Sequence, residues 1–519
     1  MSCLGMSLQV QMNLGKLSDD RPATGPLGKH PLGGRNWEGF SPDPYLSGEV
    51  IRHTVLASQS VGVQTCSKHY IGNEQETQRS NSETENGTTV EAISSNIDDR
   101  TLHEVYLWPF ADAVRAGTSS IMCSYNRVNM TYACEDSHIL RDVLKKELGF
   151  RGYVVSDWWA THSTSKAANA GLDMEQPGFS TNSDAYFGPK LEDAVRAGNV
   201  TEDRLDEMAR RVLVPYFLLN QERPDYPTVD PALEFSPGIG IPADPWTTVS
   251  SRDVRGDHAE LIREIGASAT VLLKNDGQLP LGKSIKNIGV FGNAAIDPTE
   301  GLVYSETTNE YFGPEYGALT IGGGSGSGRN SYIVSPLDAI KSRARKMNSI
   351  VQYITSNDLL AADNFDAIYP APDICLVFLK TWASEGHDRL SFEPDWNSTL
   401  VVENVASFCR GHTIVVTNSA GVNTMPWAEN PNVTATLATH FPGQEIGNSL
   451  ADVLWGDTEP SGRLPYTIPK HKSDYDFPVL NLTLPDGSID PVSSHWQDNF
   501  TEGQLIDYRH FDAQDIQPL

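Results

Sequence analysis

The stretch GYVVSDWWATH, Gly152 to His162, runs an apolar segment, Tyr153 to Val155, into Asp157 and sets Trp158 and Trp159 against it. A short apolar run that ends in a carboxylate beside indoles is either a capped strand or the edge of a site. Its neighbours repeat the pattern. Gly62–Cys66 reads as a strand that runs into Lys68 and His69, and Ser119–Cys123 as one that runs into Ser124 and Tyr125. Helical periodicity lies between them. Leu102, Val105, Tyr106, Pro109, Phe110 and Ala113 predict a helix over 101–116, and 137–148 reads as a helix capped by Ser137 and stopped by Gly149. Proline opens another over 189–197, and Leu205, Met208, Val212, Tyr216 and Leu219 mark one more, with a kink at Pro215. Alternating strands and helices on short loops predict a parallel sheet or a β/α barrel. In such folds the ends of the strands converge on the catalytic face.

Beyond this region the character changes. Residues 221–255, QERPDYPTVDPALEFSPGIGIPADPW within them, are proline-rich and read as a linker. A second alternating region, about 256–470, carries VLLKN, NIGVFG, SIVQYIT, DICLVFLK and HTIVVTN as strands. Helices are expected at 259–269, 398–408 and 445–455. Continuous apolar runs such as ICLVF suit strands covered on both faces. Residues 471–519 are polar and proline-bearing and read as an irregular tail.

At 519 residues the chain is long enough for several domains. Its net charge of −28 argues against nucleic acid and anionic membrane surfaces as partners. No run of eighteen apolar residues is present to span a bilayer. The first residues, MSCLGMSLQVQMNLG, show no signal-peptide pattern. Yet seven Asn-x-Ser/Thr sequons, at Asn86, Asn129, Asn199, Asn397, Asn432, Asn481 and Asn499, exceed the about two to four that chance gives, and point to a secreted glycoprotein. Of six cysteines, Cys123 with Cys134 and Cys375 with Cys409 are candidate bridges, which leaves Cys3 and Cys66. No spacing fits a metal or redox site. The loop GGGSGSG lacks the GK[ST] that phosphate binding needs.

A carboxylate beside tryptophans with Lys, His and Arg nearby suits carbohydrate: indoles stack on sugar faces, and charged groups bind hydroxyls. Here the sequence resembles glycoside hydrolase family 3, and its fungal secreted β-glucosidases above all. The matching stretches are GRNWEGFSPDPYLSG (34–48), KHYIGNEQETQR (68–79), MCSYN (122–126), GYVVSDWWATHST (152–164), NAGLDMEQPG (169–178), FPGQEIGNSLADVLWGDTEPSGRLPYTIPK (441–470) and FTEGQLIDYRHFD (500–512). They run in order along nearly the whole chain.

The resemblance implies an α/β fold: an incomplete (β/α)8 TIM-like barrel over 1–220, then an α/β sandwich domain. It implies a retaining β-glucosidase that releases terminal non-reducing β-D-glucosyl residues from β-glucosides or cello-oligosaccharides, without cofactor or metal. Asp157 would be the nucleophile, and Glu385 in WASEGHDR the acid/base, with Asp388 its rival. Arg35, Lys68, His69 and Arg79 would bind the glucose hydroxyls. Met122, Tyr125 and Trp158 would line the pocket, and Ser325 would add a loop contact. Asp157 should stay ionised because Lys68 and Arg79 favour its charged form, and Glu385 should hold its proton longer if it is less solvated and feels Asp157. A β-xylosidase specificity remains open, whereas the His/Asp dyad of N-acetylglucosaminidase relatives is absent. The likeness starts near the family's third barrel strand and stops before a fibronectin-like third domain. The chain is therefore expected to be truncated at both ends, and, taken alone, poorly soluble or inactive. An inactive truncated relative is the competing reading.

Overall fold

The computed structural model describes residues 23–178, 185–226, 255–301, 313–328, 330–409, 412–484 and 488–519. The expected linker falls mostly outside them, as does Cys3.

Four parallel strands form the first sheet: β1 (Cys66–Tyr70), β2 (Ser120–Cys123), β3 (Tyr153–Trp158) and β4 (Met174–Gln176), in that order. A single parallel bridge from Ala23 to Lys68 extends the β1 edge. Successive residues of a strand face opposite sides, and the core follows that alternation. Ile121, Cys123 and Val154 pack with Val105, Phe110, Leu140 and Leu144 from the covering helices. Met122, Tyr153 and Val155 pack on the other side with Cys66 and Met174. Asp157 shares its alternation with Tyr153 and Val155, so β3 delivers it to that inner side. Two expected strands shift. β1 begins at Cys66 rather than ending there, and β3 runs on through Asp157 to Trp158. The sequence reading stopped both at the first charged or polar residues. In the fold those residues are buried with partners, so the strands continue through them.

The helices of this half are α1 (Pro44–Ser60), α2 (Trp108–Arg115), α3 (His138–Glu147), α4 (Ser165–Ala170), α5 (Pro189–Arg196) and α6 (Glu202–Leu218). The helix expected over 101–116 is broken. A wide turn covers Leu102–Tyr106, and α2 starts afresh at Trp108. Pro109 explains the break, because it has no N–H to donate and fits the first turn of a helix. Ser137 makes no side-chain cap on α3; Asp136 Oδ1 takes that place, accepting from the N–H of His138 at 2.8 Å. Gly149, at φ +69°, ends the turn after α3 as expected.

The second sheet has six strands: β5 (Val271–Asn275), β6 (Asn287–Phe291), β7 (Ile350–Ile354), β8 (Ile374–Thr381), β9 (Thr413–Ser419) and β10 (Val433–Ala438). Their spatial order is β5-β10-β9-β8-β6-β7, all parallel except β5 against β10. Every residue of β8 is buried. Ile374, Leu376 and Phe378 face one core, and Cys375, Val377 and Leu379 the other. Helices α7 (His258–Ala269), α8 (Pro336–Met347), α9 (Ser398–Cys409) and α10 (Ile446–Leu454) flank it. Each fully buried aliphatic side chain here contributes about 1.5–3 kcal/mol. β10 and α8 had no place in the sequence reading. Disulfides join Cys123 to Cys134 and Cys375 to Cys409.

The tail is not merely irregular. Gln497–Asp498 pair in parallel with Ser94–Ser95, and Phe500 and Ile506 enter the core of the first half. Lys29 Nζ meets Asp498 at 2.7 Å and Glu502 at 2.9 Å, and lies 3.6 Å over the Phe500 ring. Helix α11 (Tyr508–Gln514) docks through the Tyr508 hydroxyl, which donates to Asp43 Oδ2 at 2.6 Å. Among the described residues no helix is long and apolar enough to cross a membrane.

Candidate active site

Arg35 sits at the start of a tight turn, Asn36–Glu38, wholly buried. Its Nε and Nη2 donate to the two oxygens of Glu38, at 2.5 and 2.8 Å, and its Nη1 donates to Glu385 Oε1 at 3.0 Å. Lys68, at the middle of β1, meets Glu38 Oε2 at 3.2 Å. Arg79 lies 4.5 Å over the ring of Tyr125, with Nη2 2.9 Å from Glu385 Oε1 and Nη1 2.7 Å from Glu76 Oε2. Those last two are close ion pairs rather than aligned hydrogen bonds. His69 Nε2 stands 3.5 Å from Asp157 Oδ2, too far for a hydrogen bond. The other oxygen of Asp157 accepts from the Trp158 N–H at 2.7 Å. The glycine-rich loop supplies Ser325, whose N–H donates to Glu385 Oε2 at 2.7 Å and whose Oγ accepts from Arg35 Nη2 at 3.3 Å.

Residues from both halves thus meet in one charge cluster. Arg35, Lys68, His69, Arg79, Tyr125 and Asp157 come from the first, and Ser325 and Glu385 from the second. Met122 lies below on the inner sheet face, and Trp158 is half-buried beside Asp157. The close approach demands glycine twice. A Cβ on Gly34 would stand 2.0 Å from the His387 carbonyl oxygen, and one on Gly324, at φ +97°, would stand 2.2 Å from Glu385 Cβ.

Asp388, the rival acid, is otherwise engaged. It accepts from the N–H groups of Gly34, Glu76 and Thr77 and from the Thr77 hydroxyl. It fastens the loop that carries Glu385. Glu38 and Glu76 went unnoticed in the sequence. Their signal was a glutamate three residues from an arginine in each case, Arg35 with Glu38 and Glu76 with Arg79.

The electrostatics correct one expectation. Burial pushes Glu385 up, but Arg35, Arg79, the Ser325 hydrogen bond and Lys68 outweigh it and hold the carboxyl well below the usual range. Asp157 goes the other way. Burial raises it, and the charge of Glu385 adds to that against the pull of Arg35. The sequence reading reversed this order because it gave the cations to Asp157, whereas both guanidiniums turn on Glu385. Burial, then Arg35 and Lys68, push His69 well down, so its imidazole is neutral. Its Nδ1 and Asp157 Oδ2 are buried without hydrogen-bond partners among the described residues.

A two-domain α/β protein with an acidic pair set among arginines at the seam is the class that this fold and site define. Residues 26–214 match the Glycosyl hydrolase family 3 N terminal domain, and residues 270–508 the Glycosyl hydrolase family 3 C-terminal domain. A "Probable beta-glucosidase G" of Aspergillus flavus is 49% identical over 517 residues, which cover 96% of this chain and 62% of that protein. The solved β-glucosidase of Neurospora crassa matches with a TM-score of 0.87 at 37% identity, covering 99% of this chain and 62% of that one. The β-D-glucoside glucohydrolase of Trichoderma reesei matches at 0.81 and 38% identity, covering 100% and 68%. The chain belongs to glycosyl hydrolase family 3. It spans 62% of the length of the Aspergillus flavus relative.

Proposed function

We propose that this protein is a retaining β-glucosidase that removes terminal non-reducing β-D-glucosyl residues, with Asp157 as nucleophile and Glu385 as acid/base. The observation that carries this reading is the convergence of those two carboxyls, one from each half, in one buried cluster: Glu385 pairs with Arg35 and Arg79, and Asp157 lies beside His69 within the field of the same cations. Asp157 presents an oxygen with no hydrogen-bond partner among the described residues, as attack on an anomeric carbon requires. Arg35, Lys68, His69 and Arg79 offer donors to sugar hydroxyls, and Trp158 offers an indole face. A glycoside that draws Arg35 and Arg79 onto its hydroxyls frees Glu385 from them, and its acidity then falls toward that of a proton donor. Glu385 protonates the leaving oxygen as Asp157 bonds to the anomeric carbon. It then takes a proton from the water that releases glucose. The relatives named β-glucosidases support this substrate class, and breakdown of cellulose-derived oligosaccharides is the setting that it fits.

The test is labelling with 2,4-dinitrophenyl 2-deoxy-2-fluoro-β-glucoside. A fluoroglucosyl adduct on the peptide that holds Asp157 is expected, and turnover of p-nitrophenyl β-glucoside should fall at least about a thousandfold in Asp157→Asn. A folded protein that acquires no adduct favours the inactive-relative reading instead. We also infer a secreted glycoprotein. Six of the seven sequon asparagines are exposed, and Asn432 alone is half-buried. Endoglycosidase treatment of protein made in a fungal host should lower its mass, with Asn432 the site left unoccupied.

A further inference from the structure

Glu76 has no part in the glucose-binding set, yet its carboxylate is buried against the loop that carries Glu385. Glu76 Oε2 accepts the N–H of Gly386 at 2.8 Å, and the same oxygen meets Arg79 Nη1 at 2.7 Å. The backbone N–H of Glu76 donates to Asp388 at 3.0 Å. One residue therefore grips the loop at two points just after Glu385. The guanidinium of Arg79 spans the two carboxyls, one nitrogen to each.

The charge balance gives this grip a chemical consequence. Arg35, Lys68 and Arg79 face Glu38, Glu76, Asp157 and Glu385, with Asp388 already met by backbone donors. Three cations against four carboxyls in a buried space favour one proton retained within the cluster. The groups that face Glu76 are Arg79 from its own segment, Arg35 from the turn at 35–38, and Glu385 and Asp388 from the loop. Lys68, His69, Tyr125 and Asp157 complete the cluster.

We propose that Glu76 is a positioning residue that fixes the Glu385 loop and shares Arg79 with Glu385, so that the charge on each of the two carboxyls depends on the other. This deepens the glucosidase reading and rests on it for the role of Glu385. Consistent with the geometry, burial, with added push from Glu385 and Asp388, brings Glu76 up to about 7 against the pull of Arg79 and Arg35. The sign follows. Glu385 is ionised wherever Glu76 titrates, and its charge and its claim on Arg79 keep the proton on Glu76. A neutral side chain at 385 leaves Arg79 wholly to Glu76 and makes it a stronger acid.

The experiment titrates carbon-13-labelled glutamate carboxyls by NMR in the full chain, with Glu385→Gln and Glu76→Gln supplying the assignments. In Glu385→Gln the midpoint of Glu76 should fall by about one pH unit. In the unsubstituted protein the Glu76 and Glu385 signals should share an inflection. An unmoved Glu76 midpoint, or independent single-step curves, overturns the proposal; the second measurement holds even where the variant fails to fold. Neither measurement depends on turnover, so failure of fluoroglucoside labelling sinks the glucosidase reading alone.

Discussion

Asp388 shows how a single carboxylate can serve geometry rather than chemistry. Four donors, from Gly34, Glu76 and Thr77, converge on it, and it is buried. Replacing it by alanine strips all four of their acceptor, and Asp388→Ala should lower unfolding free energy by about 3 kcal/mol in a denaturant titration. Trp159 is the opposite case. It sits at φ +62° in the turn after Asp157, closed by the Ala160 N–H to the Asp157 carbonyl at 3.1 Å, and its side chain is 54% exposed. A bulky side chain in left-handed backbone is strained. Trp159→Gly should therefore raise the stability by up to about 1 kcal/mol, read as a higher thermal midpoint. The sequence made the members of the site legible because strand ends carry its chemistry and the motifs that surround them are long. It did not disclose which cation serves which carboxyl. That depends on distances between residues some 350 positions apart, as with Arg35 and Glu385, and no local pattern encodes it.

Among the elements, continuous apolar runs were the clearest text. β6, β8 and β9 emerge within a residue or two of their expected bounds, because strands buried on both faces write themselves as unbroken hydrophobic stretches. VTATLA, now β10, was overlooked because its threonines read as polar, although only one of them is less than fully buried. Helix starts were harder to place. Ser137 and Asp136 are adjacent and both are good caps, and the backbone chose Asp136. Asp136→Ala should cost about 1 kcal/mol in unfolding free energy, and Ser137→Ala close to nothing; equal losses would restore Ser137 to the role.

At the scale of the molecule, the joint between Lys29 and the tail fixes how the ends of the fold meet. Burial alone would raise Asp498, but the hydrogen bond with His30 and the charge of Lys29 bring it down from 3.8 to about 2. A carboxyl depressed in the folded state stabilises above its unfolded value, and that stability is lost as the pH falls through the folded one. The joint should thus contribute roughly 2 kcal/mol at neutral pH that disappears between about pH 4 and 2. Lys29→Met should flatten the acid limb of the stability curve over that window.

This joint also means that the two halves are held by more than the covalent connection through residues 227–254, because the tail returns to pair with Ser94–Ser95 and to bury Phe500 and Ile506. A protease that nicks the polypeptide once between 227 and 254 would accordingly yield two bands on a denaturing gel but a single species by gel filtration. The fragments would stay married through a returning strand, and the seam that houses Asp157 and Glu385 would outlive the cut.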